Sequence, residues 1–176
     1  MHIVPKGSDS DDRLSHVLQA SERLAMAESI DEVVSVLRDT ARATVGAEGI
    51  AVVIENGGHC TYVAEDAISP LWSGKTFPID RCVSGWAMLD NKTYVIPDVR
   101  LDPRIPREAY DPTFVRSLVM VPIGKPLAVA ALGAYWSQVR PHNRDTIERL
   151  ESLARLATIA IENARLTQAR NRAAAI

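Results

Sequence analysis

The amino-acid sequence predicts an α/β (α+β) fold, in which a mainly antiparallel sheet carries helices on its faces. Three observations support this prediction. Apolar residues recur at helical spacing near both ends of the chain, two hairpin signals lie between those ends, and a region of short mixed elements separates the hairpins. Hairpins imply antiparallel pairing of their strands. With 176 residues, the chain is long enough for one domain with a substantial core.

The polar start of the chain predicts a flexible leader over residues 1–12, followed by a single domain over residues 13–172. Apolar residues recur at helical spacing from Leu14 to Ala25, which predicts a first helix. A helix with one apolar face must bury that face against another part of the domain.

A second helix is predicted immediately after the first. Ser29 followed three residues later by Glu32 is a capping-box pattern, in which two side chains satisfy backbone N–H groups at a helix start. Helical spacing of apolar residues then continues to Val45, and Gly46 is a natural C-terminal stop. Two helices with a tight joint therefore open the domain.

Two pairs of strands follow in the sequence. The turn at residues 56–58 (Asn-Gly-Gly) and the turn at residues 124–126 (Gly-Lys-Pro) are hairpin signals, because such residues adopt the required backbone angles at low cost. Each turn joins two runs rich in β-branched and small apolar residues. The predicted strands are residues 50–55, 60–65, 117–123 and 127–136.

The region between the hairpins, residues 71–113, is predicted to form a lid over the face of the sheet opposite the terminal helices. It contains a short helix at residues 83–89 with Gly85 inside it, and a short strand at residues 93–96. A lid of short elements over a sheet encloses a pocket. Beyond the second hairpin, Asn143 can cap a long closing helix.

The chain also resembles a known family, the GAF domains. The segments that carry the resemblance are FPIDRCVSGWAMLDNKTYVIPDVRLDPR, FVRSLVMVPI and LARLATIAIENARL, and the similarity extends from about Leu14 to Leu166. The type it resembles is the sensor module found beside histidine kinases and cyclic-dinucleotide enzymes in bacterial two-component signalling. The resemblance implies a six-stranded antiparallel sheet, a small-molecule pocket beneath the lid, and terminal helices that dimerise and pass on a signal. Because this fold accepts many unrelated ligands, the ligand is not implied.

We predict that large side chains on the lid, together with neutral hydroxyl groups, form the ligand site. At its rim, Arg116 would offer an anion a fork of donors. Two other interpretations remain open: the aromatic residues belong to the core, and Arg116 pairs with Asp98 or Asp102. The predicted ligand-binding residues are Ser84, Trp86, Tyr94, Asp98, Tyr110, Phe114 and Arg116.

An enzymatic alternative within the same family is a cysteine-dependent reductase of free methionine sulfoxide. In such proteins a cysteine comes just before a glycine that corresponds to Gly85, whereas this chain has Ser84 there. Thiol catalysis needs two cysteines that meet, and Cys60 on a strand and Cys82 on the lid need not be close. We interpret Cys60 as a packing residue and expect the domain itself to have no enzymatic activity.

No cofactor is predicted. Covalent bilin attachment in relatives uses a cysteine often followed by histidine, but here His59 precedes Cys60 and no histidine follows Cys82. The cyclic-nucleotide signature is incomplete, because no Asp-Glu pair follows Phe114. The four histidines are scattered over positions expected to face solvent, so a haem or a metal site has little support.

The charge, hydropathy and cysteine content of the chain exclude several classes of protein. A net charge of −2 offers no positive field for nucleic acid. No apolar run approaches the roughly 20 residues of a membrane helix, and no signal peptide is visible at the start of the sequence. Two cysteines cannot build a disulfide framework. A cytoplasmic location is the expectation.

The closing helix also predicts self-association. Two apolar stripes run along it, and one stripe would remain for a partner chain if the other faces the domain. The first stripe is Leu150, Ala154, Ala157, Ile161 and Ala164, and the second is Leu153, Leu156 and Ala160. We predict a homodimer through the N- and C-terminal helices, with a possible C-terminal output domain. A ligand-free module that only dimerises is the remaining alternative.

Overall fold

The computed structural model describes residues 8–176 and, within them, confirms the predicted architecture of one antiparallel sheet between helices and a lid. The strands are β1 (Gly49–Asn56), β2 (His59–Ala67), β3 (Thr76–Pro78), β4 (Tyr94–Ile96), β5 (Ser117–Ile123) and β6 (Ala130–Trp136). The α-helices are α1 (Ser8–Ala25), α2 (Ile30–Val45), α3 (Val83–Asp90), α4 (Arg107–Tyr110) and α5 (Arg144–Ala174), and short 3₁₀ turns lie at Ile79–Arg81 and Val99–Leu101.

The strand order in the sheet is β3-β2-β1-β6-β5-β4, and every neighbouring pair is antiparallel. Both predicted hairpins are present. The sixth strand begins at Ala130, however, three residues after the predicted start at 127. Pro126 cannot donate a ladder hydrogen bond, and Leu127 is exposed to solvent, so the loop extends further than the apolar pattern indicates.

The first helix begins at Ser8, which is inside the segment predicted as a leader. Residues 8–12 are therefore helical, and the remainder of the predicted leader, residues 1–7, lies outside the described residues. Asp11 and Asp12 lie near the start of this helix, where negative charge interacts favourably with the helix macrodipole. Polar residues did not distinguish a flexible leader from a helix here, because they are also typical of a helix start.

The predicted caps are confirmed. The Ser29 hydroxyl accepts a hydrogen bond from the backbone N–H of Glu32 at 3.1 Å, and the Glu32 carboxylate accepts one from the N–H of Glu28 at 2.6 Å. Gly46 ends α2 with a left-handed φ of 68°. Asn143 caps α5 through the N–H of Thr146 at 2.8 Å. These caps fix where α2 and α5 start, and thereby which faces they turn toward the sheet.

One hydrophobic core lies between the sheet and the helices α1, α2 and α5. Both apolar stripes of α5 contribute to it, so the prediction that one stripe is left for a partner chain is wrong. The reason is that α5 contacts α2, α1 and the sheet together, which requires a wide apolar face. The stripe residues buried within this single chain are Leu150, Leu153, Ala154, Ala157, Ala160, Ile161 and Ala164, with Leu156 partly buried.

A second core lies on the opposite face of the sheet, beneath the lid. Helix α3 packs closely there because Gly85 has no side chain: a Cβ at position 85 would lie 1.7 Å from the carbonyl oxygen of Ile79. Within the lid, the 3₁₀ turn at Ile79–Arg81 and α3 are thus in direct backbone contact. Among residues 8–176, no helix combines the length and hydropathy needed to cross a membrane.

Candidate functional site

The space between the sheet and the lid is filled by aromatic rings. Trp72 is at the centre, with ring centroids 5.4 Å from Tyr62, 4.8 Å from Tyr110 and 5.2 Å from Tyr135. The Trp72 indole N–H donates to the backbone oxygen of Ala109 at 2.8 Å. Edge-to-face packing of this kind stabilises a core beyond simple area burial. Tyr110, one of the predicted ligand residues, is therefore part of this aromatic core.

The loop that carries Trp72 is anchored by one carboxylate. Glu65 on β2 accepts hydrogen bonds from the backbone N–H groups of Leu71, Trp72 and Ser73 at 2.8, 3.0 and 2.6 Å. A carboxylate that accepts several N–H groups forms stronger hydrogen bonds than neutral acceptors do. The aromatic core is held from the sheet side by this contact.

Polar atoms are buried among the rings. The Tyr62 hydroxyl lies 3.3 Å from the Ser84 hydroxyl, while the Tyr135 hydroxyl is buried without a hydrogen-bond partner. Burial raises the pKa of all three tyrosines in this core, Tyr62, Tyr110 and Tyr135. Ser84 is a predicted ligand residue, but it is fully buried and its hydroxyl is used inside the protein.

The two cysteines meet at the edge of this core. Cys60 and Tyr62 are two residues apart on β2 and therefore face the same side of the sheet. The Ser84 hydroxyl lies close to Tyr62 and donates a hydrogen bond to the Cys82 sulfur at 3.3 Å. The interaction between the two thiols lowers the pKa of Cys82 and raises that of Cys60. Strand and lid thus bring together two residues that are 22 positions apart in sequence.

An open hollow lies where the lid meets the edge strand β4. It has a volume of about 410 Å³. Two predicted ligand residues, Trp86 and Tyr94, form its aromatic walls, with their ring centroids 6.1 Å apart. The lining residues are Asp80, Arg81, Trp86, Leu89, Asp90, Tyr94, Arg104 and Pro106.

Both rings of the hollow are held in place by hydrogen bonds. The Trp86 indole N–H donates to the backbone oxygen of Asp80 at 2.9 Å, and the Tyr94 hydroxyl donates to the carboxylate of Asp90. That hydrogen bond raises the pKa of Tyr94, with a smaller contribution from burial. Because the rings are fixed from behind, their exposed faces present a preorganised surface.

A guanidinium group already occupies part of this surface. The Arg104 guanidinium lies 4.6 Å from the centre of the Trp86 ring and 6.0 Å from that of Tyr94, within the range of cation–π attraction. Asp102 orients it through a two-point contact, at 3.0 Å to Nε and 2.7 Å to Nη2. The same contact lowers the pKa of Asp102. Trp86 and Tyr94 were predicted from sequence, but Arg104 was not.

A second groove continues along the open edge of β4, with a volume of about 570 Å³. Asp98 lies in it, as do Tyr94 and Arg104, so the two depressions share a wall. The Asp98 carboxylate accepts a hydrogen bond from the backbone N–H of Arg100 at 3.0 Å, which caps the following 3₁₀ turn. One of its oxygens therefore already has a structural partner.

The last two predicted residues, Phe114 and Arg116, lie apart from the hollow. The Phe114 ring packs against the start of β1, 2.9 Å from where a Cβ on Gly49 would be. Within residues 8–176, Arg116 forms no salt bridge, and its Nε is buried without a hydrogen-bond partner. The alternative pairing of Arg116 with Asp102 does not occur, because Asp102 binds Arg104.

The structure thus divides the seven predicted residues into separate places. Trp86, Tyr94 and Asp98 line the open depressions at β4, whereas Ser84 and Tyr110 are in the aromatic core. Sequence reasoning missed Arg104, Asp80 and Arg81 in the hollow, and Tyr62 and Tyr135 in the core. For Arg104 a signal existed, since Asp102-Pro103-Arg104 follows the lid strand after the short 3₁₀ turn at Val99–Leu101.

The histidines that the structure describes show no shared site. His142 was expected in solvent, but its ring stacks on Trp136 at 4.3 Å and both of its nitrogens are buried without partners. Burial, with a further contribution from Arg140, lowers its pKa to about 4. In the part of the chain that the structure describes, no three His, Cys, Asp or Glu side chains are grouped to hold a metal ion.

The sequence model of the GAF domain matches residues 27–162. No curated protein matches the chain by sequence.

Solved structures of the same fold are numerous. One is a free methionine-R-sulfoxide reductase from Neisseria meningitidis in complex with its substrate, at 16% identity, covering 94% of this chain and 97% of that one with a TM-score of 0.77. Another is the GAF domain of a phosphoenolpyruvate-protein phosphotransferase from Coxiella burnetii, at 14% identity, 92% and 99% coverage and a TM-score of 0.76. A third is the phycoerythrobilin-bound GAF domain of a cyanobacterial phytochrome, at 20% identity, 88% and 96% coverage and a TM-score of 0.70. At these identities the likeness establishes the fold alone.

Proposed function

The chain belongs to the GAF domain family, and from this premise we propose that it is a regulatory domain that binds a small molecule and relays that binding through its terminal helices. The observation that carries the proposal is the hollow at β4, where hydrogen bonds fix two aromatic rings and a guanidinium group lies over one of them. Rings that are held in place in this way are typical of sites that bind ligands with little entropic cost.

The chemistry of the hollow favours a planar ligand that carries a negative charge. The position of Arg104 over Trp86 indicates that flat groups stack there. Among the described residues Arg81 forms no salt bridge, so its guanidinium is available for an anionic group. Asp80 and Asp90 on the same wall are already near Trp86 and Tyr94, and they would select against a ligand with several negative charges.

The route for relay is the sheet. Strand β4, at the wall of the hollow, pairs with β5, and β5 contacts both the lid helix α3 and the closing helix α5. The Thr93 hydroxyl just before β4 donates to the Glu151 carboxylate on α5 at 3.0 Å, which links the two elements directly. A shift of β4 on ligand binding would therefore reach α5 as a slide or rotation.

Dimerisation is the second half of the proposal. With both predicted stripes of α5 buried, a partner would contact the apolar residues that the terminal helices leave exposed. These are Leu14 and Leu18 on α1 and Ile159 and Leu166 on α5. The spacing between Ile159 and Leu166 is seven residues, one heptad, as in a coiled-coil seam. A C-terminal output segment would be driven by such a seam.

The ligand proposal is tested by native mass spectrometry of protein purified without denaturation. We expect a co-purified small molecule, or a rise in melting temperature with members of a panel of planar anions such as nucleoside monophosphates and aromatic carboxylates. Trp86→Ala and Arg81→Gln should abolish either signal, whereas Leu127→Ala, an exposed change on a distant loop, should retain it. A panel that shifts wild type and Trp86→Ala equally, with nothing co-purified, would refute binding at this site.

A reductase of free methionine sulfoxide is the second candidate, favoured by the contact between Cys60 and Cys82. Against it, Ser84 stands where the family resemblance places a cysteine. Incubation with free methionine-R-sulfoxide and a dithiol reductant decides between them. Methionine formation that Cys82→Ser abolishes would establish the reductase, and its absence at high protein concentration would exclude it.

A further inference from the structure

The pairing of two thiols between the sheet and the lid has no role in the ligand proposal above. Cys60 is on the floor of the lid-side core, and Cys82 is at the N-terminus of α3. Two hydrogen bonds hold Cys82 in place. Its sulfur accepts from the Ser84 hydroxyl at 3.3 Å, and its S–H donates to the Pro78 carbonyl oxygen at 3.5 Å. The register of the sheet brings this segment to Cys60, since Phe77 pairs with Cys60 and Pro78 with His59.

We infer that Cys60 and Cys82 form an oxidisable dithiol, which a hydroperoxide converts into an intramolecular disulfide that ties α3 to β2. The inference rests on the positions of the two sulfurs across the lid–sheet boundary and does not require a ligand in the hollow. Both cysteines are buried in the same lid-side core, and the Ser84 hydroxyl connects their positions: it lies 3.3 Å from the Cys82 sulfur and 3.3 Å from the hydroxyl of Tyr62, which is two residues from Cys60 on the same face of β2.

The two thiols have different chemical roles. Cys82 is 5% exposed and directly follows the exposed residues Asp80 and Arg81, whereas Cys60 is fully buried at 0%. The hydrogen bond from Cys60, and then that from Ser84, lowers the pKa of Cys82, although burial opposes the effect. Because the thiolate is the nucleophile in thiol chemistry, Cys82 is the attacking residue and Cys60 the resolving one.

The reaction balances in two steps. The Cys82 thiolate attacks one oxygen of the hydroperoxide, the O–O bond breaks, and the leaving alkoxide takes up a proton as an alcohol, which leaves a sulfenic acid on Cys82. The Cys60 sulfur then attacks the Cys82 sulfur, an S–S bond forms, and the S–O bond breaks. The hydroxide leaves with the Cys60 proton as water. Both sulfurs are oxidised by one electron each, and the peroxide is reduced to an alcohol and water.

A disulfide between Cys60 and Cys82 would restrict movement of the lid. It would join β2 to the start of α3 directly, in addition to the contact between Gly85 and Ile79. Oxidation would thereby restrict movement of the element that also carries Trp86 in the hollow. The dithiol would make lid mobility depend on the redox state of the surroundings.

The test uses the reduced full-length protein and hydrogen peroxide or tert-butyl hydroperoxide. We expect the intact mass to fall by two hydrogens, a tryptic map that links Cys60 to Cys82, and full reversal by dithiothreitol. The rate should rise with pH as the Cys82 thiolate forms. Retention of two alkylatable thiols at peroxide excess, an intermolecular product only, or an irreversible sulfonic acid as the first product would each overturn the inference.

Single substitutions test which cysteine attacks the peroxide and which resolves the sulfenic acid. Cys60→Ser should stop the reaction at the sulfenic acid, detected as a dimedone adduct on Cys82, whereas Cys82→Ser should leave Cys60 unmodified under the same conditions. Ser84→Ala should shift the pH profile of the rate to higher pH, because it removes a hydrogen bond to the Cys82 sulfur. Circular dichroism of each variant establishes folding, and a Cys82→Ser variant in which Cys60 reacts as fast as before would contradict the assignment.

Discussion

Gly85 in the lid helix is in backbone contact with Ile79 of the preceding 3₁₀ turn, so close that a Cβ at position 85 would lie 1.7 Å from the Ile79 carbonyl oxygen. Glycine lowers the helical propensity of α3 by about 1 kcal/mol relative to alanine. Tertiary packing has therefore overridden local propensity. This contact places Cys82 and Trp86, on either side of Gly85, at fixed positions on the lid.

We predict that Gly85→Ala lowers the free energy of unfolding by about 3 kcal/mol, because the backbone of α3 must move away from the 3₁₀ turn. Chemical denaturation measures the loss, and Leu89→Ala on the exposed side of the same helix is the matched control. Propensity alone predicts the opposite sign for Gly85→Ala. A stabilised Gly85→Ala protein would therefore show that the 3₁₀ turn moves away from α3 at little cost in free energy.

The elements of the fold could be predicted from the sequence where a single residue dictates the backbone. Ser29, Gly46 and Asn143 mark helix ends because their caps are local interactions. The start of α1 could not be predicted, since acidic residues occur equally in leaders and in first turns of helices.

The site was only partly predictable, because a ligand surface depends on which faces remain uncovered. Aromatic type alone cannot distinguish Tyr110, which is buried against Trp72, from Tyr94, which lines the hollow. The contact between Cys60 and Cys82 depends on the pairing of β2 with β3, a three-residue strand without an alternating pattern that could reveal it.

The two lid-side tryptophans should differ in their contributions to stability. Trp72 is 2% exposed and touches three other rings, so Trp72→Ala should cost about 3–5 kcal/mol. Trp86 is only partly buried, and Trp86→Ala should cost about half as much. Urea denaturation of both variants provides the comparison. Equal losses would mean that Trp86 is a core residue and that the hollow is a packing feature.

His142 should make stability depend on pH. Its folded-state pKa is lowered to about 4 by burial, with a further contribution from Arg140, whereas an unfolded histidine titrates near 6.5. Above about pH 6.5 the ring is neutral in both states and its contribution is constant. As the pH falls towards 4, the unfolded chain binds a proton that the folded chain does not. The full shift corresponds to roughly 3 kcal/mol, and because the ring is only half-buried, solvent screening reduces the expected loss in the free energy of unfolding to about 2 kcal/mol.

The matched variant for this prediction is His142→Phe, which retains a ring over Trp136 and cannot titrate. Denaturation curves at several pH values between 4 and 7 give the difference between the two proteins, which removes the effect of acidic groups such as Asp102 that both contain. Parallel pH profiles for wild type and His142→Phe would contradict the assignment of a buried neutral imidazole.

The closing helix provides the last prediction, on self-association. Ile159 and Ile161 are two residues apart on α5, but Ile159 is 59% exposed and Ile161 is 5% exposed. Glutamate at Ile161 would bury an unpaired charge in the core of one chain, which is costly. We therefore expect Ile161→Glu to unfold the protein at moderate temperature, whatever its oligomeric state.

Ile159→Glu should leave the fold intact and remove the dimer, because it places a charge in the proposed seam with Leu166 without touching the core. Light scattering at tens of micromolar protein measures the mass, and circular dichroism measures the fold. At about 1.5 Å per residue, the 31 residues of α5 extend roughly 46 Å, enough for several heptads of contact between parallel helices. A wild-type mass of one chain would refute the dimer and the relay together. If Ile159→Glu remains dimeric, the dimer forms instead through the exposed leucines of α1, Leu14 and Leu18. Leu18→Glu should then produce a monomer.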